Sequence, residues 1–271
     1  MRTPLLYTCI LLSALAQSGC ADDSANNAAP VNGGGGSGGS GGTGTGGSLA
    51  RFAIVGNYFY SVTDRELITF SLDDQGNMAE VARNEVGFGV ETMFPYQGQL
   101  LLGAADGVFV YDLSVPESPQ RVGRFRHITA CDPVVARNGF AFSTLRSGEV
   151  GCQQRIVNQM DILKLQENGA GDPVLMGSFT DLEQPKGLGI KENTVYVCDA
   201  DRGVRILDVG DVYNGDDAYN VVEVSALEGF EAFDVIVFED LLLVIAVDGL
   251  RQYDIREPFS PVALSTIPVN S

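Results

Sequence analysis

Residues 193–209 read NTVYVCDADRGVRILDV. Two β-forming runs, TVYVC and VRILD, flank an Asp and a Gly suited to a tight turn, and the second run closes on an apolar-Asp-apolar ending. The segment is therefore a β-hairpin. The same pattern recurs at residues 98–113, GQLLLGAADGVFVYDL, and at residues 240–255, DLLLVIAVDGLRQYDI. Two weaker copies are residues 57–72, NYFYSVTDRELITFSL, and residues 138–165, where an insertion between Leu145 and Met160 splits the hairpin.

The matching positions Ser71, Asp112, Lys164, Asp208 and Asp254 are spaced by 41, 52, 44 and 46 residues. That period matches one four-stranded propeller blade. Each copy has an apolar run before it (residues 52–55, 93–96, 133–136, 188–190 and 235–238). Further runs follow, as at residues 122–125 and 174–179. No 3.6-residue apolar stripe competes with this reading. Residues 49–271 are expected to form an all-β, five-bladed β-propeller of four-stranded antiparallel blades.

Working outward, residues 1–19 read as a signal peptide. Arg2 precedes a largely apolar stretch of 12 residues, 5–16, too short to span a bilayer of about 30 Å as a helix. Ser18-Gly19-Cys20 resembles the bacterial lipobox, in which the Cys is acylated, although Gln17 departs from the usual aliphatic residue. The alternative is cleavage by ordinary signal peptidase with Cys20 as a bystander. Residues 20–48 read as a tether, because residues 33–48 are only Gly, Ser and Thr and would span roughly 22 Å as a coil. The full chain carries 17 Lys+Arg against 35 Asp+Glu, a net charge of −18. Losing residues 1–19 removes Arg2 and leaves −19. Nucleic acid is thereby excluded as a partner, and anionic headgroups would repel the domain, so the lipid anchor alone would hold it to the membrane.

Two stretches carry a family resemblance. Val195-Tyr196-Val197-Cys198-Asp199, continued by Gly203-Val204-Arg205-Ile206-Leu207-Asp208-Val209, and DGVFVYDLSVPESP at residues 106–119 resemble LVIVD repeats of bacterial secreted and surface propeller proteins. The resemblance covers residues 50–271, with blades one and three degenerate. It implies a propeller in the cell envelope and brings no catalytic motif.

The residues themselves point the same way. Asp112, Asp208 and Asp254, at strand ends, suit turn initiation through backbone N–H bonds. Asp199-x-Asp201-x-Gly203 lacks the remaining ligands of a calcium loop, so no cofactor or metal is expected. His127 is the only histidine, and no Gly-x-Ser-x-Gly or phosphate-cradling loop is present. Cys131 and Cys152, both in blade three, are expected to form a disulfide closing 22 residues, worth about 3 kcal/mol. Cys198 is then a buried, free thiol.

Side chains that converge on a propeller's central channel come from the start of each innermost strand. That column reads Arg51, Thr92, Asp132, Gly187 and Asp234, with Glu91, Cys131, Lys186 and Phe233 one position earlier. Arg51, Glu91, Asp132, Lys186 and Asp234 are the candidate binding residues at the channel mouth; the plainer reading is a set of solvated local ion pairs. The blade-three insertion is the rival site, since long loops on rigid scaffolds often carry function. The expected function is a non-enzymatic, lipid-anchored outer-membrane propeller, facing the periplasm or the cell surface, that binds an envelope protein or glycan. The alternatives are a carboxylate-using hydrolase or lactonase, and a structural subunit of an envelope assembly.

Overall fold

A computed structural model of the chain describes residues 49–87, 89–126, 133–146, 157–167, 169–214 and 219–269. Cys20 and the expected signal peptide and tether lie outside the described residues, as do His127, Cys131, Asp132 and Cys152. Blade one is β1 (Phe52–Val55), β2 (Tyr58–Val62), β3 (Glu66–Leu72) and β4 (Met78–Glu85). Blade two is β5 (Val90–Tyr96), β6 (Gln99–Ala104), β7 (Gly107–Asp112) and β8 (Gln120–Arg126). Blade three is β9 (Val134–Arg137), β10 (Phe140–Leu145), β11 (Gln159–Lys164) and β12 (Val174–Phe179). Blade four is β13 (Leu188–Lys191), β14 (Thr194–Cys198), β15 (Val204–Asp208) and β16 (Val222–Leu227), with helix α1 (Gly210–Tyr213) between the last two. Blade five is β17 (Ala232–Phe238), β18 (Leu241–Ala246), β19 (Gly249–Asp254) and β20 (Val262–Pro268). Each blade is one antiparallel sheet in sequence order, and the five make a β-propeller, as the repeat predicts.

The second strands of the three middle blades are buried at every residue because each of these blades is covered on both faces. In β14, Val195 and Val197 pack toward blade three while Tyr196 and Cys198 pack toward blade five. The outermost strands face solvent, and every residue of β20 is exposed. All five blades carry a register shift between the third and fourth strands, from Thr69/Phe70 in blade one to Gln252/Tyr253 in blade five. Such bulges add twist, which lets successive sheets fan around an axis.

The turn residues act as the sequence suggests. Asp112, Asp208 and Asp254 each accept a backbone N–H two residues on, at 3.2, 2.8 and 2.9 Å. The hairpin glycines also have a steric reason. A Cβ on Gly203, at φ +74°, would lie 1.9 Å from the carbonyl oxygen of Leu227 in the outermost strand.

Neighbouring blades are tied by polar brackets as well as apolar packing. Tyr60 donates its hydroxyl to the Pro116 carbonyl at 2.9 Å, and Tyr196 does the same to Pro258 at 2.9 Å. Apolar clusters fill the junctions between blades one and two, two and three, three and four, and four and five. Among the described residues no apolar cluster joins blade five to blade one. On blade one, Phe52 and Ile54 are 53% and 38% exposed; on blade five, Phe238 and Ile245 are 46% and 40% exposed.

Candidate functional site

Strand direction sorts the loops onto two rims. The innermost strands start at the same rim as the hairpins joining second and third strands. Leu145 and Gln159, the strand ends between which the blade-three insertion falls, therefore lie at the channel-mouth rim; residues 147–156 of the insertion are outside the described residues. The two rival sites of the sequence reading are rooted on one face.

At this rim the chain brings together residues of blades three, four and five. The Lys186 ammonium lies 2.9 Å from Glu231 Oε1 and 4.0 Å over the Phe233 ring. The backbone of Lys186 is fixed on both sides: its N–H donates to the Cys198 carbonyl at 2.7 Å, and its carbonyl accepts the Thr144 hydroxyl at 2.7 Å. The Gly187 N–H donates to the Phe233 carbonyl at 2.9 Å. Asp234 presses on Gly187 so closely that no side chain fits there.

The plainer reading of solvated local ion pairs holds for Arg51 but is corrected for Lys186 and Asp234. Lys186 and Asp234 are each only 6% exposed. The Phe233 ring packs on the Lys186 ammonium, and Gly187 packs against Asp234. Arg51 is exposed and instead pairs with Asp64 of its own blade at 3.5 Å. It borders a shallow hollow of about 700 Å³ with Arg65, Glu66 and Glu85. Glu91 is half-buried in β5 beside the fully buried Thr92. Asp132 is among the residues not described. Glu231 was missed by the sequence reading, because it stands three positions before the aligned column and nothing in its own blade marks it.

A second charged cluster sits on the same rim in blade four. Asp199, completely buried, accepts backbone N–H bonds from Glu183 at 3.0 Å and Gln184 at 2.7 Å. It also faces Arg205 at 3.5 Å and Arg202 at 3.9 Å. Arg205 pairs further with Glu223 and, at 3.6 Å, with Asp181. The Asp199 carboxylate is thus committed to the hairpin and its arginines. Among the described residues no group of three or more His, Cys, Asp and Glu is placed to hold a metal.

Cys198 lies in the same strand, fully buried and unpaired. Burial pushes its thiol well above the usual range, with the Asp234 carboxylate acting in the same direction and Lys186 against it. Such a thiol is a packing group and a poor nucleophile at neutral pH. Taken together, the rim holds Lys186 and Asp234 buried and leaves Glu231 and the Phe233 ring partly exposed. Among the described residues no helix is long and apolar enough to cross a membrane.

No protein-family model and no curated protein matches the chain. Solved propeller structures do. A periplasmic gluconolactonase of Pseudomonas aeruginosa is 16% identical with a TM-score of 0.59, covering 80% of this chain and 68% of that one. A candidate 6-phosphogluconolactonase of Bacteroides uniformis is 11% identical with a TM-score of 0.60, covering 81% and 70%. The computationally designed Ika8 protein is 15% identical with a TM-score of 0.56, covering 80% of this chain and only 60% of its own. At these identities the likeness is one of fold: the chain is similar to β-propellers longer than itself.

Proposed function

We propose that this chain is a lipid-anchored, non-enzymatic propeller of the bacterial cell envelope, whose channel-mouth rim binds an envelope protein or glycan. The observation that carries the reading is the interlocked patch of Lys186, Glu231, Phe233 and Asp234, built from blades four and five. Its lysine is bound to a carboxylate, and the nearby thiol is held protonated, so the patch suits docking better than attack on a substrate. Ser18-Gly19-Cys20 and the glycine tether support the anchor, and the LVIVD-like repeats support the envelope location. Export would also oxidise Cys131 and Cys152 to a disulfide, readable by mass mapping without reduction.

The test is capture of partners by the full chain from envelope extracts, alongside a glycan array, comparing the wild type with Lys186→Met and with a deletion of residues 147–157. A partner lost in either variant supports the rim. Cys20→Ala should release the chain to the soluble fraction. A second reading, a carboxylate-using lactonase, is favoured by the names of two structural neighbours. Turnover of gluconolactone by the full chain, lost on Asp234→Asn, would replace the binding reading.

A further inference from the structure

The opposite rim holds a cavity that neither the repeat nor the channel explains. It encloses about 630 Å³ between blades two and three, within the range of small-molecule sites. The loops that wall it are those that outgrow the repeat. Third and fourth strands are joined by seven residues in blades two and five, by nine in blade three and by thirteen in blade four. The blade-four connection carries α1, which delivers Tyr213 to the cavity.

These walls are held in place. The blade-three loop lies across blade two: Gln99 donates to the Gly169 carbonyl at 2.5 Å, the Gly171 N–H to Val122 at 2.8 Å, and the Arg124 N–H to Asp172 at 2.9 Å. The Tyr96 hydroxyl accepts the Gly139 N–H at 2.7 Å and so ties the two inner hairpins together. That bond uses an oxygen lone pair and leaves the phenolic proton to donate. Tyr213 packs on Phe140 with centroids 6.0 Å apart. Burial raises its phenol well above the usual value and keeps it neutral. A cavity with fixed walls loses little entropy when a ligand enters.

We propose that this cavity binds a neutral oligosaccharide. Tyr96, Phe140 and Tyr213 supply apolar ring surface, and Gln97 and Asn138 supply amides, while the Gln166 amide already donates to the Asp172 carbonyl at 2.7 Å. An amide both donates and accepts hydrogen bonds, which is the chemistry that a sugar hydroxyl offers in return. Ring faces suit the C–H face of a pyranose. Asp112, Glu167 and Lys164 also border the space, two acids against one base, and the chain as a whole carries −18; both features disfavour an anionic ligand. The proposal concerns a different rim from the channel mouth and stands whether or not that patch binds a partner.

The decisive variants are set by backbone geometry. Gln97 and Asn138 occupy left-handed conformations, with φ of +45° and +51°. Glycine at either site removes the amide and relaxes the backbone, so the double variant Gln97→Gly, Asn138→Gly keeps its fold. Cellobiose, maltose, lactose, chitobiose and sialyllactose are titrated against the full chain by saturation-transfer NMR. At least one of the four neutral disaccharides should bind, and the double variant should weaken it about tenfold, the loss expected for two neutral hydrogen bonds. The proposal is overturned if no neutral disaccharide binds, if sialyllactose alone binds, or if the double variant binds as the wild type does. Affinity that falls with Lys186→Met instead would assign the sugar to the channel mouth and overturn it equally.

Discussion

Asp234 of blade five occupies the space where Gly187 of blade four would carry a side chain: a Cβ there would lie 2.1 Å from Asp234 Oδ1 and 2.8 Å from its Cα. Because the second distance is to backbone, rotating the aspartate cannot relieve the clash. Gly187→Ala should therefore separate the two inner strands and cost about 1–3 kcal/mol, the usual penalty of overpacking. Thermal unfolding of the variant measures this; an unchanged melting temperature would show that the blades yield freely.

The hairpin glycines give a controlled comparison. Gly203 and Gly76 both have positive φ, +74° and +81°, but a Cβ on Gly76 meets nothing within 4 Å, whereas on Gly203 it meets the Leu227 carbonyl. Gly76→Ala should cost only the left-handed penalty of about 1 kcal/mol. Gly203→Ala should cost at least about 1 kcal/mol more, read as the difference in urea midpoints.

Removing the Asp199 charge should destabilise the fold. Asp199→Asn keeps the volume but weakens the acceptor of the Glu183 and Gln184 N–H groups and removes one partner of Arg205, which retains Glu223 and Asp181, so the cost should be about 1–3 kcal/mol. Replacing exposed Asp201 with Asn should lie within about 0.5 kcal/mol of the wild type. Equal losses in the two variants would refute the structural role given to Asp199.

Alkaline pH should destabilise the propeller. Burial raises the phenols of Tyr60, Tyr196 and Tyr213 above their ordinary 10.0. The folded chain then holds protons that the unfolded chain releases, so their contribution is complete below pH 10 and is lost as pH rises toward the folded values. Tyr196→Phe gives up the bond to Pro258 and lowers stability at pH 7, yet should flatten the loss above pH 10. Denaturant midpoints across pH 7 to 11 check both the sign and the slope.

The architecture was legible because the hairpin repeat is local. Asp112, Asp208 and Asp254 mark the same turn by residue type alone, and the glycines between second and third strands mark the next. The site was legible only in part. Alignment of the repeats finds Lys186 and Asp234, but their burial depends on Phe233 and on contacts across a junction some 45 residues away in sequence. The Glu231 partner falls outside the aligned column. The opposite-rim cavity left no trace in the pattern, since its walls are loops defined by departing from the repeat and closing against a neighbouring blade.

Among the described residues the apolar packing runs as a series of four junctions, with blade one at one end and blade five at the other. Among the described residues, blades one and five each share an apolar cluster with one neighbour, whereas blades two to four share one on both sides. In such an array local opening starts at the ends, and its free energy climbs toward the centre. Amide hydrogens of β10 and β11 should accordingly be the last to exchange and those of β3 and β19 among the first, so that blade three, which carries the largest insertion, is also the blade least able to unfold alone.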